Sequence, residues 1–295
     1  MHRIRAAVAA WTTAALVSAG MLTGCDPGGG TDAAGSPPPR PKPTPVWDRS
    51  PASIAAVGDS ITRGFDACEV LSDCPEVSWA TGSDTEVGSL ATRLLGVTTA
   101  ASRSWNYART GARMADLPAQ LSRAAAHRPE LVTVMAGAND ACRDSAAQMT
   151  PVAEFRASFA SALGQLRREL PKTQVYVSSV PDLKRLWSTG RDSVLGRTVW
   201  KLGVCASMLG DAENDGAEAT ARRTAVYDRV VAYNQALQEE CGKDPRCRYD
   251  GGAVFAYPFT GEQLSHWDWF HPGKNGQREL ADIAYRNVTA EEPPT

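Results

Sequence analysis

Residues 53–63 read SIAAVGDSITR, and the fold turns on how this stretch is understood. Ile54 to Val57 form a short apolar run ended by a glycine, the signature of a strand buried on both faces. The chain then presents Asp59 and Ser60 at the point where such a strand would stop.

Similar runs recur downstream. Strands are expected at SIAAV (53–57), VTTAASR (97–103), LVTVMA (131–136), QVYVSSV (174–180) and AVFAY (253–257). Helical periodicity lies between them, in 87–96, 117–128, 152–170 and 219–242, with a last helix through 277–288. Short apolar runs alternating with helices imply an α/β fold with a mostly parallel five-stranded sheet. The segment from Leu183 to Asp215 is long, weakly periodic and contains Cys205, which suggests a disulfide-tied excursion over one edge of the sheet. In open α/β sheets, ligands bind outside the carboxyl ends of the strands. GDSIT, NYARTG (106–111) and GAND (137–140) each follow an expected strand, and SHWDWFHPG (265–273) lies beyond the fifth.

The first residues have another purpose. A positive start, an Ala-rich apolar stretch and the ending Leu22-Thr23-Gly24-Cys25 read as an export signal over residues 1–24. That ending resembles the bacterial lipobox, which implies a lipid on Cys25 and a place on the outer face of the cell membrane as a lipoprotein. Residues 25–50 are rich in Gly and Pro and read as a tether, with the domain itself at 51–290. The 295-residue chain has a formal charge of −2, and loss of Arg3 and Arg5 with the signal makes it more negative. Its basic residues form no tract, so nucleic acid is not an expected partner. A monomer is the default expectation.

Apart from Cys25 there are six cysteines, an even number in an exported chain, which reads as three disulfides. Proximity pairs Cys68 with Cys74 and Cys241 with Cys247, leaving Cys142 for Cys205.

A serine hydroxyl becomes a nucleophile only with a base to take its proton and donors to hold the oxyanion. Of the four histidines, His2 lies in the signal and His127 on a surface stretch. His271 has a carboxylate, Asp268, three residues upstream, which suits a base held by one ring nitrogen. His266 is assigned to the rim. A metal reading of His266, Asp268 and His271 lacks a fourth ligand motif. Asn139 offers an amide at the sheet edge and Gly111 a bare backbone N–H.

GDSIT, then N-x-A-x-x-G, then GAND, then D-x-x-H, in this order from Ser53 to about Val288, resembles the SGNH hydrolases, also called GDSL esterases and lipases. The export signal, the six cysteines and the CPEVSWA segment (74–80) are similar to the secreted bacterial branch. The resemblance implies a three-layer αβα fold, a Ser60 nucleophile, a His271 base and Asp268 as orienting acid. Relatives of this secreted type divide between a carboxylate and a backbone carbonyl in that last role. It also implies an oxyanion hole of Ser60, Gly111 and Asn139, an ester substrate, and no metal or organic cofactor. A carbohydrate deacetylase or phospholipase of the same fold is an alternative. So is a non-catalytic glycan- or lipid-binding module using Trp79, Trp267 and Trp269. No G-x-S-x-G elbow of the competing serine esterase fold occurs.

Overall fold

A computed structural model describes residues 45–294. The expected signal, most of the tether and Cys25 lie outside the described residues.

Five strands form one sheet: β1 (Ile54–Gly58), β2 (Ser104–Asn106), β3 (Leu131–Met135), β4 (Gln174–Val177) and β5 (Cys247–Tyr249). The order is β2-β1-β3-β4-β5 and every pairing is parallel. In chain order the helices are α1 (Ser60–Arg63), α2 (Leu90–Leu95), α3 (Val97–Arg103), α4 (Leu117–Ala125), α5 (Ala138–Ala141) and α6 (Val152–Glu169). They continue as α7 (Leu183–Gly190), α8 (Val194–Trp200), α9 (Ala206–Leu209), α10 (Ala217–Cys241), α11 (Ala253–Ala256) and α12 (Lys274–Thr289). Strands β1, β3 and β4 are buried along their whole length, which requires cover on both faces. One helical group is α4, α6 and α10, and another is α2, α3 and α12, giving the α/β layered sandwich.

Two strands differ from expectation. VTTAASR is helix α3, and the strand is the next three residues, Ser104–Asn106. Its β-branched residues sit in the first helical turn, Val97 faces solvent, and the alanines that follow favour helix. AVFAY holds helix α11, because Asp250 accepts the N–H groups of Gly252 (2.8 Å) and Val254 (3.1 Å) and starts a helix there. The fifth strand is Cys247–Tyr249, whose apolar signal is broken by Arg248. That side chain is buried and satisfied by the carbonyls of Asn287 and Ala290, both at 2.8 Å.

The folded region also begins earlier than residue 51. The Trp47 indole donates to the Val288 carbonyl at 2.8 Å and lies 4.4 Å beneath the Arg248 guanidinium. Asp48 exchanges hydrogen bonds with the Gln174 amide. The tether reading therefore fails for its last residues, which are docked by side-chain contacts that composition does not show.

The cysteines are joined as Cys68–Cys74, Cys142–Cys205 and Cys241–Cys247. The excursion from Leu183 onward is more regular than its weak periodicity suggests, being built of α7, α8 and α9. The bridge to Cys205 ties it to the end of α5.

Candidate active site

The chain runs from β1 to β2 on one side, then returns to place β3 on the other. The strand order therefore reverses at the carboxyl ends of β1 and β3, where a crevice opens between diverging connections. Ser60 follows β1 and Asn139 follows β3. Gly58 is required at the turn: its φ is +149°, and a Cβ there would lie 2.1 Å from the Met135 carbonyl oxygen. Gln120, from α4, fastens this glycine by accepting its N–H (2.7 Å) and donating to its carbonyl (2.9 Å). Asp59 caps α1 by accepting the Ile61 N–H at 3.0 Å, which sets Ser60 as the first helical residue.

His271 reaches this point from the other end of the chain. Its Nε2 lies 2.9 Å from Ser60 Oγ, and its Nδ1 lies 2.5 Å from Asp268 Oδ2. Asp268 Oδ1 accepts the N–H groups of Phe270 (2.9 Å) and His271 (3.0 Å), so the loop is wound around the carboxylate. The group behind the imidazole is thus a carboxylate rather than a backbone carbonyl. Gln277, on α12, accepts the Trp79 N–H and donates to the Ile61 carbonyl, both at 2.9 Å, tying the His271 loop to the serine turn.

The electrostatics follow from burial and from this pairing. For His271, burial opposes the charged form, but Asp268 and then Asp66 and Asp59 outweigh it and hold the imidazole above its usual value. For Asp268, burial works against ionisation, and the imidazole with the two loop N–H groups holds the carboxyl below its usual range. Burial pushes Asp59 up to about 7, and its Oδ2 finds no hydrogen-bond partner among the described residues. Burial likewise pushes Asp140 up to about 6, although it accepts the Met114 N–H at 2.8 Å.

Ser60 and His271 open onto a cavity of about 220 Å³ whose walls include Asn139, Leu183, Leu186, Val204 and Phe270. The Cys142–Cys205 bridge forms part of the same wall, so the excursion covers the crevice. Asn139 Nδ2 donates to the Ala112 carbonyl at 3.0 Å, which places the amide beside the turn that holds Gly111. Gly111 itself is exposed with φ +81° and is absent from the cavity wall; its N–H makes no hydrogen bond among the described residues. Ser60 and Asn139 are therefore brought together at the cavity, whereas Gly111 stands one turn away.

Other expectations are redirected. Trp79 is fully buried and donates to Thr62 Oγ1 at 3.3 Å, so it is a core residue. Trp269 packs on Gly196 of α8, and Trp267 lies against His266 at 4.3 Å. Among the described residues, no tryptophan lines the cavity. His266 is exposed and does not join Asp268 and His271. The side chain that does is Asp66, whose donor atom lies within 4.8 Å of both. The 2.5 Å approach of Nδ1 to Oδ2 is that of a hydrogen bond, since two donors each about 2.0 Å from one zinc ion stand about 3 Å apart. Asp66, Gln120 and Gln277 were not singled out in the sequence, where each looks like an ordinary polar residue.

Known proteins bear on this arrangement. No curated protein sequence matches the chain. Solved structures similar to it include a candidate GDSL-like lipase from Parabacteroides merdae, at 16% identity and a TM-score of 0.49, covering 84% of this chain and 99% of that one. A family two carbohydrate esterase from Clostridium thermocellum in complex with cellohexaose has 13% identity and a TM-score of 0.49, covering 84% and 65%. Phospholipase A1 from Streptomyces albidoflavus has 18% identity and a TM-score of 0.43, covering 81% and 99%. The family model described as GDSL-like Lipase/Acylhydrolase matches residues 54–284, and with Ser60, His271 and the switch-point crevice all inside that span, the chain belongs to this family.

Proposed function

We propose that the protein is a serine ester hydrolase that works through an acyl-enzyme. The observation that carries this reading is the continuous contact from Ser60 Oγ to His271 Nε2 and from Nδ1 to Asp268, opening on one cavity. Ser60 Oγ attacks the ester carbonyl carbon while Nε2 takes its proton. The imidazolium, paired with Asp268, then returns that proton to the leaving alkoxide. Water then gives a proton to the same nitrogen and attacks the acyl carbon, the bond to Ser60 Oγ breaks to release the acid, and the proton returns to Oγ. The oxyanion is assigned to the Ser60 N–H and the Asn139 amide, with Gly111 as the third donor if its turn moves inward on binding. Asn139 Nδ2 has a second N–H beyond the one given to Ala112.

The cavity, at about 220 Å³, is smaller than the 300–1,000 Å³ usual for ligand pockets. It suits a short acyl group, with the alcohol portion directed outward. Short carboxylic esters are therefore the first substrate class, with acetylated sugars and phospholipids as narrower alternatives that share the acyl chemistry. The lipobox at Cys25 supports a surface-tethered lipoprotein, tested by mass analysis of the N-terminal peptide for a diacylglycerol cysteine.

The decisive test is hydrolysis of p-nitrophenyl acetate together with labelling by a fluorophosphonate. Labelling at Ser60 and loss of several orders of magnitude in kcat in Ser60→Ala are expected. Full activity in Ser60→Ala sinks the reading.

A further inference from the structure

A second carboxyl group stands behind the triad. Asp66 is 2% exposed, and its backbone is held at φ +57°. Its N–H donates to the Ser72 carbonyl at 3.0 Å, its carbonyl accepts from Ser265 Oγ at 2.6 Å, and its Oδ1 accepts the Leu71 N–H. The Cys68–Cys74 loop is thus folded around this side chain, and the Asp268 loop is clipped to it from the other side.

Asp66 and Asp268 each place a carboxyl oxygen within 4.8 Å of the other and of a His271 ring nitrogen. Two buried carboxyl groups this close repel when both are ionised, and a proton held on one of them lets it donate to the other. Asp268 is the unsuitable holder, because its two oxygens already accept from the Phe270 N–H, the His271 N–H and Nδ1–H. The proton belongs on Asp66.

We propose that Asp66 is a positioning residue that acts on His271 through Asp268: protonated, it donates a hydrogen bond to the Asp268 carboxylate, and ionised, it adds a second negative charge behind the imidazole. The inference deepens the hydrolase reading and rests on it for its kinetic consequences. The charged groups facing this pair are few. Asp268 and His271 face Asp66 directly, Asp59 at the end of β1 faces the same imidazole, and Asp140 faces Asp59.

Burial, and then the charge of Asp268, push the Asp66 carboxyl up to about 6. The pair therefore passes from one negative charge to two as pH rises through that value. The added charge favours the imidazolium, so His271 is more basic when Asp66 is ionised. Asp66→Asn isolates this effect. The amide oxygen still accepts from Leu71, the NH2 supplies the donor that the protonated carboxyl would offer Asp268, and asparagine tolerates the left-handed backbone as well as aspartate does. Only the charge is lost.

The test is an NMR titration of the His271 ring in wild type and Asp66→Asn, with the signal assigned by its absence in His271→Gln. The pH profile of kcat/KM on p-nitrophenyl acetate is measured beside it. In Asp66→Asn the His271 midpoint should fall by between about half a pH unit and two, as expected for one charge about 5 Å away in a half-shielded site. The acidic limb should fall with it, while the plateau stays within about threefold. Asp66→Ala, which also removes the donor, should lower the plateau as well. A His271 midpoint unchanged in Asp66→Asn, with any loss of rate matched by a lower melting temperature, overturns the proposal. If Asp66→Ala does not fold, the Asn variant decides alone. A moved midpoint in a protein without esterase activity would overturn the hydrolase reading and leave the pairing standing.

Discussion

Asp268→Asn is a one-atom change whose outcome the geometry dictates. Oδ1 of residue 268 accepts two loop N–H groups, from Phe270 and His271, so that position must remain oxygen. The new NH2 therefore falls where Oδ2 was, 2.5 Å from His271 Nδ1. An NH2 cannot accept from Nδ1–H, so the imidazole must shift its proton to Nε2. Nε2–H then donates to Ser60 Oγ and can no longer take its proton. The charge is lost too. With the Asp268 side chain 1% and the His271 side chain 12% exposed, screening by solvent is weak. Two unit charges about 4 Å apart at an effective dielectric of about 20 attract by roughly 4 kcal/mol, or about a thousandfold in rate if all of it is felt in the transition state. Asp268→Asn should therefore lose about a thousandfold or more in kcat/KM on p-nitrophenyl acetate. Asp268→Ala should lose less, because it removes the charge without imposing the wrong tautomer. In both variants the acidic limb should move to lower pH, since Asp268 is the main influence raising His271 against the opposing effect of burial. Melting curves separate this from damage to the loop. The reasoning is refuted if folded Asp268→Asn keeps activity within about tenfold of wild type with an unmoved acidic limb.

Two further outcomes concern stability. The Cys142–Cys205 bridge spans 63 residues against 6 for each of the others, so the chain-entropy contributions are about 4 and about 2.4 kcal/mol at 25 °C. The double serine variant at 142 and 205 should lose the larger amount in urea denaturation and relax the preference for short acyl chains; unchanged stability and selectivity would contradict this. Burial raises Asp59 from 3.8 to about 7, so the native state holds a proton that the unfolded chain has released. The stability this contributes is complete below about pH 4 and is lost as pH rises through about 7, by up to about 4 kcal/mol at roughly 1.4 kcal/mol per unit. Asp59→Asn removes that loss, so its melting temperature relative to wild type should be higher at pH 8 than at pH 4. An identical difference at both pH values would show that Asp59 does not titrate in this way.

Much was legible from the amino-acid sequence alone. IAAV before GDSIT, LVTVM before GAND and QVYV marked the three central strands, because a strand buried on both faces must be apolar throughout. The longest helices carried their own period. Neighbouring cysteines marked two bridges by proximity, and the order of four short motifs pointed to the family. Edge strands escaped, since SWN is half-buried throughout and the buried centre of CRY is an arginine, so neither shows an apolar run, whereas VTTAASR and AVFAY carried residues suited to either state.

The tertiary structure decided the rest, and the physical reason is distance along the chain. Nothing near Ser60 reports that His271, 211 residues away, will stand 2.9 Å from its hydroxyl. Nothing near Asp66 reports that it will lie buried against Asp268, or that Gln120 and Gln277 will hold the serine turn from two helices. A polar side chain reads as surface until the fold removes its water, and only then do its partner, its proton and its chemistry become fixed.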